Sequence, residues 1–65
     1  MKLTIYPTRW YFEHGDYWGE ISYDAYIFRW RIYCQVGFVH KGWNDTMDKA
    51  VKDICTFIES QDGGE

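Results

Sequence analysis

The sequence predicts an α+β fold, in which an antiparallel sheet of three to four strands carries one C-terminal α-helix packed on one face. Two periodicities carry this expectation. Residues 26–35 alternate apolar and polar with a period of two, whereas Met47, Ala50, Val51, Ile54 and Ile58 recur at helical spacing. Size supplies the third observation. Sixty-five residues allow a single core, and the aromatic content of 22% supplies much of the apolar area such a short chain needs. Residues 1–60 therefore read as one compact domain and 61–65 as a frayed tail.

The first element, Leu3–Glu13, is rich in β-branched and aromatic residues and suits a pleated, half-buried surface. Its apolar parity changes from odd at Leu3 and Ile5 to even at Trp10 and Phe12. Pro7 lies between them and lacks an N–H, so the expectation is one edge strand bent or bulged at that point. His14-Gly15-Asp16 reads as a turn. Tyr17–Tyr23 is the returning strand, with Gly19 as a weak point or bulge. Asp24-Ala25 is a poor turn by composition, so the strand could run on through it, and its boundary is loosely defined.

Tyr26–Gln35 is the clearest strand. Phe28, Trp30, Ile32 and Cys34 share one face and Arg29, Arg31 and Tyr33 the other, so one side is buried and one wet. Gly37 turns the chain into a short last strand, Phe38–Lys41, which Gly42-Trp43 ends. Asn44, Asp45 or Thr46 can cap the helix that follows, and Asp48 sits in its first turn, where the dipole favours an acid. The helix is expected to stop near Ser60, because Asp62-Gly63-Gly64 cannot sustain it.

Charge and chemistry narrow the function. Seven Lys and Arg against ten Asp and Glu give a net charge of −3, which counts against a protein that grips duplex phosphates. No apolar run is long enough to span a membrane. The start, MKLTIYPTRW, has no signal-peptide pattern, so a cytoplasmic setting is expected. Cys34, Cys55, His14 and His40 are the soft ligands, and none sits at metal-ligand spacing. Both thiols read as small buried groups. Whether they are joined is left open, with the reduced state favoured by the absence of a secretory signal. No phosphate loop or nucleophile–base pair is present, so the chain reads as a protein without enzymatic activity or cofactor.

One helix covers one sheet face and leaves the other bare. That bare face is the candidate site, with Arg9, Tyr23, Arg29, Arg31 and Tyr33 as its contact residues; Tyr6 and Tyr11 are neighbours that could join them. Tyr and Arg on a rigid sheet combine contact area, low entropy loss and a polar end. The expected role is an interaction module for another protein, of the kind a phage or mobile element could use to inhibit or redirect a host protein. Three further readings stand beside it. The same face could stack single-stranded nucleic acid on its tyrosines. Acidic side chains at Asp16, Glu20, Asp24, Asp45, Asp48, Asp53 and Glu59 could mimic DNA phosphates. The chain could also pair with itself as a homodimer.

Overall fold

The architecture is a single antiparallel sheet with a helix across one side. The computed structural model describes the backbone of residues 2–6 and 8–62 and the side chains of residues 8–61. In chain order the elements are β1 (Lys2–Tyr6), β2 (Arg9–His14), β3 (Tyr17–Asp24), β4 (Ile27–Cys34), β5 (Gly37–Asn44) and α1 (Met47–Asp62). Each strand pairs with the next, so the sheet order is β1-β2-β3-β4-β5. Strands β2 to β5 are the four read from the sequence. The fifth arises because Leu3–Glu13 folds back on itself: Tyr6 pairs with Arg9, and Lys2 with Glu13. The parity change thus marks a reversal of the chain, not a bend in one strand. Pro7, and the side chains of Leu3, Ile5 and Tyr6, lie outside the described residues.

The turns set which residues share a face. Gly15-Asp16 joins His14 to its partner Tyr17, with Gly15 alone at positive φ (62°), the pattern of a type II′ hairpin turn. Ala25-Tyr26 joins Asp24 to Ile27, and here both residues have positive φ, 53° and 66°. That is the backbone of a type I′ turn, built without the Asn or Gly that normally supplies it. Its composition hid the turn, and the strand ends at Asp24 instead of running through. A left-handed conformation costs an L-residue roughly 1–2 kcal/mol, so this tip is strained. Gly37, at φ 118°, closes the next turn after Gln35-Val36.

Gly19 is not a bulge. It pairs in regular register with Phe12 and Ile32. A Cβ there would run into the Arg31 carbonyl and the Phe12 ring. Gly42 has the same role opposite Trp30, whose indole lies where its Cβ would be. Each glycine is covered by the aromatic ring of its cross-strand partner, and so β5 continues through Gly42-Trp43 to Asn44. The register irregularity lies elsewhere: Ile32 pairs with His40 but Tyr33 with Phe38, which leaves Val39 as the extra residue of a β-bulge.

The helix is capped by Thr46, whose Oγ1 accepts a hydrogen bond from the Lys49 N–H at 3.2 Å; Asp45 pairs with Lys49 at 3.1 Å. It runs to Asp62, slightly beyond Ser60. Ala50, Ile54 and Ile58 are fully buried and meet Phe12, Ile21, Trp30 and Ile32 of the sheet. Met47, Val51 and Phe57 pack around them. The stripe read from the sequence therefore does face Phe28, Trp30 and Ile32. Among the described buried residues Trp30 alone carries a polar side-chain group, and its indole N–H donates to Asn44 Oδ1 at 2.8 Å. The Asn44 amide in turn donates to Asp53 Oδ2 at 2.9 Å, linking the end of β5 to the middle of α1. Cys34 and Cys55 are both free and half-buried, so they are not the fully buried thiols expected, and no disulfide joins them.

Two variants test these points by urea denaturation. Asn44→Ala leaves the Trp30 N–H without a partner and is expected to cost about 1–3 kcal/mol. Ala25→Asn with Tyr26→Gly relaxes the strained turn and is expected to raise stability by about 1 kcal/mol, the relief being partly offset by the flexibility Gly adds to the unfolded chain.

Candidate functional site

Two-residue turns place odd residues of β2, even residues of β3 and odd residues of β4 on the side away from the helix. Cross-strand register then arranges the outer face in rows. Glu13, Trp18, Tyr33 and Phe38 form one row; Tyr11, Glu20, Arg31 and Lys41 the next; Arg9, Ser22, Arg29 and Trp43 the third. Asp24 and Ile27 lie beyond them. The rings on this face are substantially open to solvent: Trp43 is 63% exposed, Phe38 56%, Trp18 44% and Tyr11 41%. The Tyr33 and Phe38 rings meet edge to face at 5.9 Å.

Four of the five residues singled out from the sequence lie here. Arg9, Arg29 and Arg31 line a shallow open trough of about 830 Å³, together with Glu20, Lys41 and Trp43. Tyr33 stands on the same face outside the trough, between Trp18 and Phe38. Tyr23 is a correction. It borders the trough, but it pairs with Phe28 and its ring packs on Phe28 at 4.7 Å on the helix side. The two-residue turn at Ala25-Tyr26 reverses parity between β3 and β4, so an odd residue of β3 faces the opposite way from Arg29. Trp10 also meets Phe28, at 5.9 Å, and completes a small aromatic cluster on that side.

Charge is segregated across the outer face. Its acidic residues, Glu13, Glu20 and Asp24, are on β2 and β3, whereas Arg29, Arg31 and Lys41 are on β4 and β5. Among the residues whose side chains are described, Arg9 is the exception on the acidic half; Lys2 of β1 also pairs in register with Glu13. The Arg9 guanidinium hydrogen-bonds Tyr11 and stands 3.8 Å from Glu20, and both hold its pKa above the ordinary arginine value. Arg29 reaches Asp24 at 3.3 Å. Among the described residues no carboxylate pairs with Arg31 or Lys41, although Arg31 lies beside Glu20 in the register.

Lys41, Trp43, Trp18 and Phe38 belong to this face and are not among the candidates read from the sequence. Trp18, Glu20 and Ser22 do alternate in the pattern of an outer face, which was a usable signal. Lys41 and Trp43 were obscured by Gly42, read as the end of the strand.

The acidic side chains of the helix do not form an isolated row. Asp45 pairs with Lys49, Asp53 accepts from Asn44, and Glu59 lies 3.8 Å from His14. His40 stacks on Phe57 at 4.6 Å, beside an open cleft of about 500 Å³ between β5 and α1. No group of three or more His, Cys, Asp or Glu among the described residues is placed to hold a metal ion. No described helix is long and apolar enough to cross a membrane. No protein-family model, curated protein or solved structure matches this chain.

Trp43 and Trp30 separate surface from core. Trp43→Ser is expected to change unfolding free energy by less than about 0.5 kcal/mol. Trp30→Ala is expected to cost about 3–5 kcal/mol. Urea midpoints of the two variants check the contrast.

Proposed function

We propose that this chain is a non-enzymatic interaction module that docks another protein on its outer sheet face. The observation that supports it is the cluster of Trp18, Tyr33, Phe38 and Trp43 around Arg29 and Arg31 on the face the helix leaves uncovered. Trp, Tyr, Phe and Arg are the residues enriched in the centres of protein interfaces, where large rigid rings exclude water and arginine adds directed hydrogen bonds. A sheet face kept only for solubility has no need of half-exposed tryptophans. Arg9, Arg29, Arg31 and Tyr33 are the contact residues carried forward, joined by Trp43 and Lys41. The free thiols of Cys34 and Cys55 fit a reducing compartment such as the cytoplasm.

The test is Arg29→Ala combined with Tyr33→Ala. Both side chains are on the outer face, so the helix signal in circular dichroism is expected to persist while affinity for the partner falls at least tenfold. Undiminished pull-down by this double variant would remove the face from consideration.

A second reading rests on the basic half of the same face. Arg29, Arg31 and Lys41 beside Tyr33 and Trp43 resemble a platform for single-stranded nucleic acid, with rings for bases and cations for phosphates. It requires a mobility shift with single strands that weakens steeply as salt rises. No shift at low salt and micromolar protein would dismiss it.

A further inference from the structure

The segregated charges of the outer face are self-complementary. We propose that the partner this face recognises is a second copy of the chain, stacked face to face about a two-fold axis running along the strands between the two sheets. This rests on the reading of the outer face as a protein-docking surface and names its occupant.

The register determines what such an axis brings together. A rotation about the strand direction sets β2 and β3 of one copy against β5 and β4 of the other, while each row faces its own row. The middle row then places Glu20 against Arg31 of the second copy, and Arg31 against its Glu20. In the third row Arg9 meets the ring of Trp43 of the second copy, a cation–π contact. In the first row Trp18 meets Tyr33 of the second copy. Every contact occurs twice, as an isologous interface requires. Arg31, which has no ion pair among the described residues, gains a carboxylate.

The other in-plane axis, perpendicular to the strands, does the opposite. Centred between the second and third rows, it turns each strand onto itself and sets Arg31 against Arg29 of the second copy, so like charges oppose it. Charge favours the first arrangement over this one. Sheets stacked face to face are normally aligned within about 30° and lie about 10 Å apart, a gap that long side chains such as Arg, Trp and Tyr fill. The four overlapping strands β2 to β5, about 4.8 Å apart and up to ~27 Å long, offer roughly 500 Å² per copy, or about 1,000 Å² in all, the size of a weak, concentration-dependent interface. A small domain also gains stability from association by mass action.

Sedimentation velocity of the full chain, from low micromolar to several hundred micromolar, tests the proposal. The wild type is expected to shift from one to two chain masses as concentration rises. Glu20→Arg and Arg31→Glu each place like charges across the axis, and each is expected to weaken self-association at least tenfold. Mixing these two single variants restores opposite charges at both symmetry-related contacts, so the mixture is expected to form a heterodimer although neither variant pairs with itself. Trp43→Ser, which leaves the core untouched, is expected to weaken the dimer as well and serves if either charge variant fails to fold. A wild type that stays monomeric throughout overturns the second copy as partner but leaves the docking face to be decided by the Arg29 and Tyr33 double variant. A dimer indifferent to all these changes, or one not rescued on mixing, places the contact elsewhere, such as the open β5 edge, and overturns the proposal.

Discussion

One helix on one face is the constraint from which the rest of this structure follows. Ala50, Ile54 and Ile58 seal Phe12, Ile21, Trp30 and Ile32 from water, and these seven are the buried core among the described residues. A core this thin forces economies elsewhere. Two cross-strand glycines let the Phe12 and Trp30 rings lie flat over the backbone, so large apolar groups fit where two side chains would collide. The polar end of the Trp30 indole is satisfied through Asn44, which also fixes where β5 ends against the helix by reaching Asp53. Losing that link exposes a weakness where side-chain hydrogen bonds, and not packing alone, tie strand to helix.

The same constraint explains why the opposite face is chemically rich. The one described helix covers only one side of the five-stranded sheet, so the outer side is left to water or to a partner. Its composition is a compromise between those states. Charged residues occupy the middle row, where they keep the monomer wet, and rings stand in the flanking rows. The division of acids onto β2 and β3 and bases onto β4 and β5 gives the face a direction across the strands. A uniformly mixed surface would have none.

Much of this was legible in the sequence because its strongest signals are periodic. The alternation in β4 and the 3.6-residue stripe of α1 each specify a buried side, and together they specify that these sides meet. Arg29, Arg31 and Tyr33 follow directly from the first pattern. What escaped was register. Ala25-Tyr26 carries none of the residues that advertise a type I′ turn, so the parity of β3 relative to β4 could not be assigned, and Tyr23 was placed on the wrong side. The parity change around Pro7 was visible but admitted both a bend and a reversal, which differ by a whole strand. Gly19 and Gly42 illustrate a related ambiguity: a glycine in a strand signals either an interruption or a close approach, and the facing ring that decides between them is a long-range fact. The pairing of opposite charges across the outer face likewise required all the strand registers at once.

The nearest-neighbour strand order also dictates how the molecule must come together. Each strand finds its partner in the segment just before it, so the sheet can grow hairpin by hairpin with little loop entropy to overcome, on a timescale of about 1–10 μs per hairpin. The sixteen residues that shield it come last. At about 5–20 residues per second of synthesis, a nascent sheet waits on the order of a second with its apolar side uncovered. During that interval α1 is in effect an intramolecular chaperone still being made.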